Sequence, residues 1–439
     1  MNVNRTVLFI PFGVGLAHVG RLMVIASEMK ARGYNVVFGA GEEVVDLLKS
    51  EGFVVHKLPE LPRTHLAKAT QLSSAYFTRQ KIASFVEAEL ALYKKISPDL
   101  VVSDLRPSAK LSTKIAKIPY VTVNNANLTK YYDFKIARFP FPTFFLTVFL
   151  PEKVLIVIEK EKIHQRVLAT VGPRIIEIAL LKELMKFNLI LHKYSQRPAR
   201  SLFSILRGDV SLITDAPFFR PVKELPSDIK VVGPISWQPT MKLPDFTKNI
   251  IAKQKKGEKI IYVTASGTGD KEIFTKILNY LEDLPYTIVA TTGNAVSLPK
   301  NKKFKENIFV TPFIPGDWIH SVADISISFG GNSTIYQAMK HGVPQIVLPL
   351  HIDQHDNANQ LHRLNTAIML NPFKLKQETL TKAIEKILSE EDIQKSCDKY
   401  SKKLLRLNGA QKSADILEKL LKKPTKIKPE SRLKRYLPQ

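Results

Sequence analysis

A single cysteine, Cys397, stands among 439 residues. One thiol excludes an intrachain disulfide and any CxxC metal or redox site, and it fits a reducing, cytoplasmic setting. Long apolar runs are missing as well. The nearest, "FPTFFLTVFLPEKVLIVI" from Phe141 to Ile158, contains two prolines, a glutamate and a lysine, which excludes a transmembrane helix. It reads as a buried segment, or as one that lines an apolar acceptor or an interface. The apolar run in "MNVNRTVLFIPFGVG" is too short for a signal sequence and reads as a first strand. Acid is the third scarcity: 40 Asp and Glu face 65 Lys and Arg, for a net charge of +25. Residues 395–439 alone hold 14 Lys and Arg against 4 Asp and Glu, a net +10. No zinc finger or basic–aromatic repeat accompanies this charge, so nucleic acid is not expected as a partner. A solvated C-terminal end or an anionic membrane surface accounts for it better, and the location expected is the cytoplasm with peripheral contact to a membrane's inner face.

What is present is alternation. At 439 residues, 44% hydrophobic, the chain is long enough for two domains with sizeable cores. "TVLFIPF", "YNVVFGA", "FVVHKLP", "PDLVVSDL" and "PYVTVNNA" read as strands. Between them lie helical stretches such as "GRLMVIASEMKARG", closed by Gly33, and "EEVVDLLKSEG", closed by Gly52. Residues 130–205 interrupt the rhythm with a mostly helical insertion, and it resumes at "GDVSLITDA". The proline-rich "VVGPISWQPTMKLPDF" reads as a connector. Alternation then restarts through "KIIYVTA", "EIFTKILNYLEDL", "YTIVATT", "NIFVTPF", "ADISISF", "TIYQAMKHG" and "QIVLPL". Strands alternating with helices predict an α/β fold with parallel sheets covered on both faces. Two doubly wound, Rossmann-like halves joined near residue 240 are expected, with ligands in a cleft outside the strands' carboxyl ends. The divisions are 1–235, 236–410, and a terminal helix and basic tail over 411–439.

The stretch "SFGGNSTIYQAMKHGVPQIVLPLHIDQ", Ser328 to Gln354, carries most of the chemistry. A strand ends in a Gly-Gly loop that opens a helix near Ser333. Unpaired N–H groups and partial positive charge at a helix N-terminus attract an anion, and glycine lets it approach the backbone. A plain turn with an Asn332 or Ser333 N-cap explains the same residues. No Gly-Lys-Ser/Thr follows and no Gly-x-Gly-x-x-Gly is present, so neither a phosphate-loop NTPase nor a dinucleotide turn is indicated. A second loop, "TASGTGD" from Thr264 to Asp270, also follows a strand and precedes a helix, and the two can face the ends of a diphosphate.

"FIPGDWIHSVADISISFGGNSTIYQAMKHGVPQIVLPLHIDQ" resembles the donor-binding signature of UDP-glycosyltransferases, inverting nucleotide-sugar enzymes of GT-B fold. The shared positions are Phe313 and Pro315, Gly330, Asn332 and Ser333, Gly342 to Pro344, and Pro349 with Asp353 and Gln354. More loosely, "VGPI" resembles the interdomain link and "YVTASGT" the phosphate-facing strand end. The resemblance implies that Phe313 stacks on the base and that backbone groups of Ile314 read its edge. Gly330, Gly331, Asn332 and Ser333 would face the diphosphate, with Ser266, Gly267 and Thr268 opposite, while Asp353 and Gln354 bond the sugar hydroxyls. Three positions depart from the pattern. Phe313 replaces a tryptophan and Ser328 a phosphate-loop histidine. Tyr336 falls where a ribose-binding glutamate is expected, with Gln337 beside it as the substitute.

Transfer to a hydroxyl needs a base. The resemblance puts one at His18, in the Gly-rich loop "PFGVGLAHVGRL", and its partner carboxylate at Asp104, the end of "PDLVVSDL". Alone, His18 is an ordinary loop histidine and Asp104 a helix N-cap for "SAKLSTKIAK"; Asp99 reads as a turn residue. The mechanism implied is a single displacement with inversion, His18 taking the acceptor proton while Asp104 steadies the imidazolium. No D-x-D cluster calls for a metal. No cofactor is expected beyond the nucleoside-diphosphate sugar, a UDP-sugar, which is a co-substrate. Apolar "FPFPTFFLTVFL" favours an apolar or lipid acceptor. A nucleotide-sugar epimerase and a catalytically silent sugar-nucleotide-binding partner protein are the competing readings. The family's C-terminal helix crosses back to the N-terminal domain, which would bury Ile416, Leu417, Leu420 and Leu421 and leave the tail's cations to an anionic leaflet.

Overall fold

The computed structural model describes residues 5–13, 15–61, 78–133, 181–267, 269–293, 296–297, 304–350 and 352–422. The first half contains β1 (Thr6–Pro11), α1 (Leu16–Ala31), β2 (Asn35–Ala40), α2 (Val45–Ser50), β3 (Val54–Lys57), α3 (Arg79–Ile96), β4 (Leu100–Asp104), α4 (Pro107–Ala116) and β5 (Tyr120–Asn124). It continues through α5 (Leu181–Lys193), α6 (Leu202–Ile205), β6 (Val210–Ile213) and β7 (Ile229–Val231). These strands form one sheet in the order β3-β2-β1-β4-β5-β6-β7, parallel throughout. The apolar cores of β1, β4 and β5 are wholly buried because helices cover both faces.

The second half runs α7 (Thr247–Lys255), β8 (Ile260–Thr264), α8 (Lys271–Leu281), β9 (Thr287–Thr291), β10 (Ile308–Thr311), α9 (Gly316–Val322), β11 (Ile325–Ser328), α10 (Asn332–Lys340) and β12 (Gln345–Val347). Then follow α11 (Ile352–Arg363), β13 (Ala367–Met369), α12 (Gln377–Ser389), α13 (Glu391–Leu405) and α14 (Gly409–Lys422). Its parallel sheet has the order β10-β9-β8-β11-β12-β13. In each sheet the order reverses beside the first strand of that half, β1 or β8. Those switch points, β1/β4 and β8/β11, are where a doubly wound sheet opens a crevice for ligands. Several elements lie where the sequence pattern announces none, α7 and β13 among them. α7 buries a single large apolar side chain, Ile250, and β13 is three residues long, so neither carries a readable period.

The chain crosses between the halves at two neighbouring places. Gly233, at φ 103, lies against Leu407, and a Cβ on Gly409 would come within 2.5 Å of the Gly233 carbonyl oxygen. Past that second crossing, α14 packs on α1. Ala414, Leu417 and Leu421 join Val19, Leu22, Met23 and Ala26 in the first half's core, with Ile416 and Leu420 partly buried at its edge. Arg32 bonds Asp415 and Glu418, and Tyr34 donates to Glu418. The basic tail after Lys422 and the apolar stretch Phe141–Ile158 lie outside the described residues. No helix among the described residues is long and apolar enough to cross a membrane.

Leu417 is fully buried in a core built mainly by the other end of the chain. Leu417→Ala is expected to destabilise the protein by about 2–5 kcal/mol, read as a lowered midpoint in denaturant unfolding. A second expectation concerns His320, buried with Nδ1–H donating to the Gly316 carbonyl and Nε2 accepting from Ser326. Burial pushes its pKa down to about 4. The unfolded chain therefore binds a proton before the folded one does, and stability falls as pH drops from about 6.5 towards 4. In His320→Gln this part of the pH dependence should be absent from unfolding curves measured across that window.

Candidate active site

β1 and β4 are neighbours whose last paired residues are Pro11 and Asp104. From β1 the chain passes Phe12 and Gly13 and enters α1 with Gly15 as N-cap, so His18 stands in the first turn of the helix. The sequence places it in a loop and starts the helix at Gly20, and the structure corrects this. Gly20 marks close packing inside the helix, since a Cβ there would lie 2.8 Å from the Trp237 Cβ. Gly15 serves the histidine itself: a Cβ would lie 2.7 Å from His18 Cδ2.

Asp104 is fully buried, and its Oδ1 lies 2.7 Å from His18 Nδ1. Nor does it cap α4, whose N-cap is Arg106; the capping alternative falls away. Arg21 completes the arrangement. It lies one helical turn after His18 on the same face, and its Nη2 sits 3.0 Å from Oδ1 and 2.9 Å from Oδ2 of Asp104. Nη2 is also 3.0 Å from His18 Nδ1. A carboxylate only accepts, so the shorter 2.7 Å contact assigns the Nδ1 proton to the bond with Asp104; Nη2, which only donates, then bonds the carboxylate and not Nδ1, and Nε2 is left to accept a proton. His18 keeps about a fifth of its side chain accessible, whereas Asp104 keeps none. Leu105, directly after Asp104, has φ 48, a left-handed conformation that costs a non-glycine residue about 1–2 kcal/mol. Asp99 is at the other end of β4, where its Oδ2 accepts from the Thr6 amide.

The second switch point holds the Gly-Gly loop and the residues around it. The N-cap of α10 is Gly331, not Asn332 or Ser333, and no side chain caps it. The first N–H groups of α10 thus have no side-chain acceptor of their own, the local condition for anion binding. A Cβ on Gly331 would meet nothing within 4 Å, so its Cα faces open space. Gly330, at φ 84, is packed against Val347. Ser328 is buried and its Oγ accepts from the Gly330 amide, so it braces the loop. The other loop comes alongside: Ser266 Oγ is 3.0 Å from Thr334 Oγ1, and Ser266 has φ 52. Gly267 is exposed, and Thr268 lies outside the described residues. Phe313 is 38% exposed beside buried Ile314, so part of its ring is open to solvent. Gln337 packs against Gly316 at the start of α9. Asp353 is exposed, but Gln354 is buried and its Oε1 accepts from the Leu350 amide, committing that oxygen to the backbone.

Several polar residues that the sequence does not single out join the two halves. Arg220 donates to Asp215, Asp356, Asn332 and Asn357. Tyr336 donates to Asp215 and accepts from the Ala216 amide, so the position of the expected glutamate is an interdomain contact instead. Tyr132 donates to Asp356 at 2.5 Å. The signal available in the sequence is slight: charged residues inside apolar runs, as in "VGRLMVIA" and "SLITDA". Among the described residues no group of three or more metal-ligating side chains is assembled.

The family described as UDP-glucoronosyl and UDP-glucosyl transferase matches residues 28–405. A "PGL/p-HBAD biosynthesis rhamnosyltransferase" of Mycobacterium bovis (strain BCG / Pasteur 1173P2) is 28% identical over 392 residues, 89% of this chain and 82% of that protein. Among solved structures, glycosyltransferase VinC in complex with DTDP superposes with a TM-score of 0.67 at 14% identity, covering 95% of this chain and 100% of the other. Spinosyn rhamnosyltransferase SpnG superposes with a TM-score of 0.66 at 15% identity, covering 94% and 100%. The fold is thus GT-B, and with the family match extending over most of its length the chain belongs to the UDP-glucoronosyl and UDP-glucosyl transferase family and is a glycosyltransferase.

Proposed function

We propose that the protein transfers a sugar from a nucleoside-diphosphate sugar to a hydroxyl of an apolar or lipid acceptor, with inversion at the anomeric carbon. The observation that carries this reading is the His18–Asp104–Arg21 cluster at one switch point, joined by a polar interface to an uncapped helix N-terminus at the other. Arg21 pairs with the Asp104 carboxylate, Asp104 orients the imidazole, and Nε2 takes the acceptor proton as the oxygen forms its bond to the anomeric carbon. The bond from that carbon to the diphosphate breaks in the same step. The electron pair leaves with the nucleoside diphosphate, against the N–H groups of α10.

The donor is a UDP-sugar on the strength of the signature residues. A dTDP-sugar is the alternative to include, since VinC is named with DTDP and the M. bovis relative is a rhamnosyltransferase. A lipid acceptor is supported by the apolar Phe141–Leu150 sequence and by that relative's PGL/p-HBAD name. Contact with an anionic membrane through the basic tail belongs to the same reading. Asp353, exposed beside the loop, is the better sugar contact; Gln354 holds the loop's backbone. Incubation with UDP- and dTDP-sugars and a panel of acceptor alcohols, with product mass and anomeric configuration determined, tests the reading. Nucleotide bound without any transfer would favour a silent partner protein.

His18→Ala should lower transfer about 100- to 10,000-fold, the usual range for losing a general base, while calorimetric nucleotide affinity stays close to wild type. Asp104→Asn should be less severe. Gly15→Ala should also reduce turnover, because its Cβ displaces the imidazole, and here too nucleotide affinity is the unchanged control. At the donor loop, Gly331→Val fills open space in front of the α10 N-terminus and should weaken UDP or dTDP itself. Asp353→Ala should leave the free nucleotide's affinity intact and change the preference among sugars, which calorimetry with nucleotides and nucleotide sugars separates.

A further inference from the structure

Asp104, Arg21, Asp215, Arg220 and Asp356 alternate in charge, and each is at most 5% exposed. They form a continuous polar chain. Arg21 Nη1 donates to Asn125 Oδ1 at 2.7 Å and to Thr214 Oγ1 at 2.8 Å. Asn125 donates to Asp215 Oδ1 at 3.1 Å, and Asp215 also accepts from the Ala126 amide at 2.7 Å. Arg220 Nη1 then donates to Asp215 at 2.8 Å and, across the interface, to Asn332 Oδ1 at 3.1 Å. Its other nitrogens reach Asp356 Oδ2 at 2.9 Å and Asn357 Oδ1 at 2.6 Å, while Asn357 Nδ2 donates to the Gly330 carbonyl at 2.8 Å. One guanidinium of the first half therefore touches the first residue of α10 directly and the Gly-Gly loop through one intermediary. The same chain ends, in the other direction, on the carboxylate that orients His18.

We propose that Arg220 and Asp215 are positioning residues that hold the donor loop in register with the catalytic base. The proposal rests on the transfer reading given above and adds the means by which the two halves of the reaction are aligned. Arg220 is 2% exposed with its donors engaged, so it holds the loop and does not itself bind phosphate. The nucleotide is held by the second half alone and the base by the first. Loss of register should thus spare each binding step and slow the chemical one. A shift of about 1 Å between reacting groups can cost about 100-fold.

Arg220→Lys is the variant of choice. It retains a positive charge among Asp215 and Asp356, yet a lysine ammonium cannot reproduce a planar fork aimed at four acceptors. At saturating donor and acceptor, turnover is expected to fall about 100-fold. The dissociation constant of UDP or dTDP, by calorimetry, should stay within about threefold of wild type, since the residues proposed to face the nucleotide are all in the second half. A role in stability alone would lower the unfolding midpoint while leaving the folded enzyme's turnover unchanged, and that result overturns the proposal. So does a loss of turnover matched by an equal loss of nucleotide affinity. If Arg220→Lys does not fold, Tyr336→Phe decides by the same criteria. It removes the hydroxyl that bridges Asp215 and the Ala216 amide without removing a charge. Wild-type transfer with unaltered turnover in the folded variant rejects this proposal alone; absence of wild-type transfer with every donor rejects the function reading and the proposal together.

Discussion

Arg220 carries its charge with only 2% of its side chain exposed, and much of the molecule is arranged around that fact. Burial opposes its ionised form, but Asp215 and Asp356 together hold its pKa well above the ordinary value. Asp356 feels the same conflict from the other side, with burial pushing its carboxyl up and Arg220 pulling it down. Buried ions cost several kcal/mol each unless their partners are well placed. The geometry of the interface is therefore restricted to arrangements in which acceptors from both halves surround one guanidinium. Asp215 from the first half and Asp356, Asn332 and Asn357 from the second accept from it, while Tyr336 and Tyr132 donate to the two carboxylates. An apolar interface of equal area would tolerate sliding. A directional polar one does not.

Two of the six left-handed non-glycine residues among the described residues stand at this edge. Leu105 and Ser266 are left-handed non-glycine residues, and each directly follows or closely follows the last residue of a strand at a switch point, β4 and β8. At both places the chain must turn sharply from a strand and still deliver a polar group, Asp104 in one case and the Ser266 loop in the other. The surrounding packing holds these conformations: β4 is buried throughout, and Ser266 is tied to Thr334 across the loop pair. Small residues serve a related purpose. Gly15 leaves room for an imidazole, and Gly331 leaves open space before a helix end.

The two halves are also closed upon each other covalently, since the chain leaves the first half beside the point at which it returns. α14, last of the described elements, completes the core around α1, the helix that carries His18 and Arg21. His18 is thus supported by residues from both ends of the described chain. The loss of register that would separate it from the donor loop is resisted by apolar burial on one side and by paired charge on the other.

The sequence by itself determined the two parallel sheets, because strand and helix periods are local properties of a few successive residues. It also marked the stretch whose Gly-Gly, Gly-Val-Pro and Asp-Gln elements lie close together in the chain and, through resemblance, the pairing of His18 with Asp104. The start of α1 was not legible, since a glycine inside a helix looks the same in sequence as a glycine before one. Only its contact with Trp237 explains Gly20. Ser328 and Gln354 likewise read as ligand positions and Tyr336 as a departure from one, but all three are buried and bonded to the protein. Arg21, Asp215, Arg220 and Asp356 were decided by tertiary structure alone. A buried charge is stabilised by whichever opposite charge lies within about 3 Å, and that neighbour is set by the order of strands in a sheet and the docking of two domains. Neither leaves a period or a spacing in the chain.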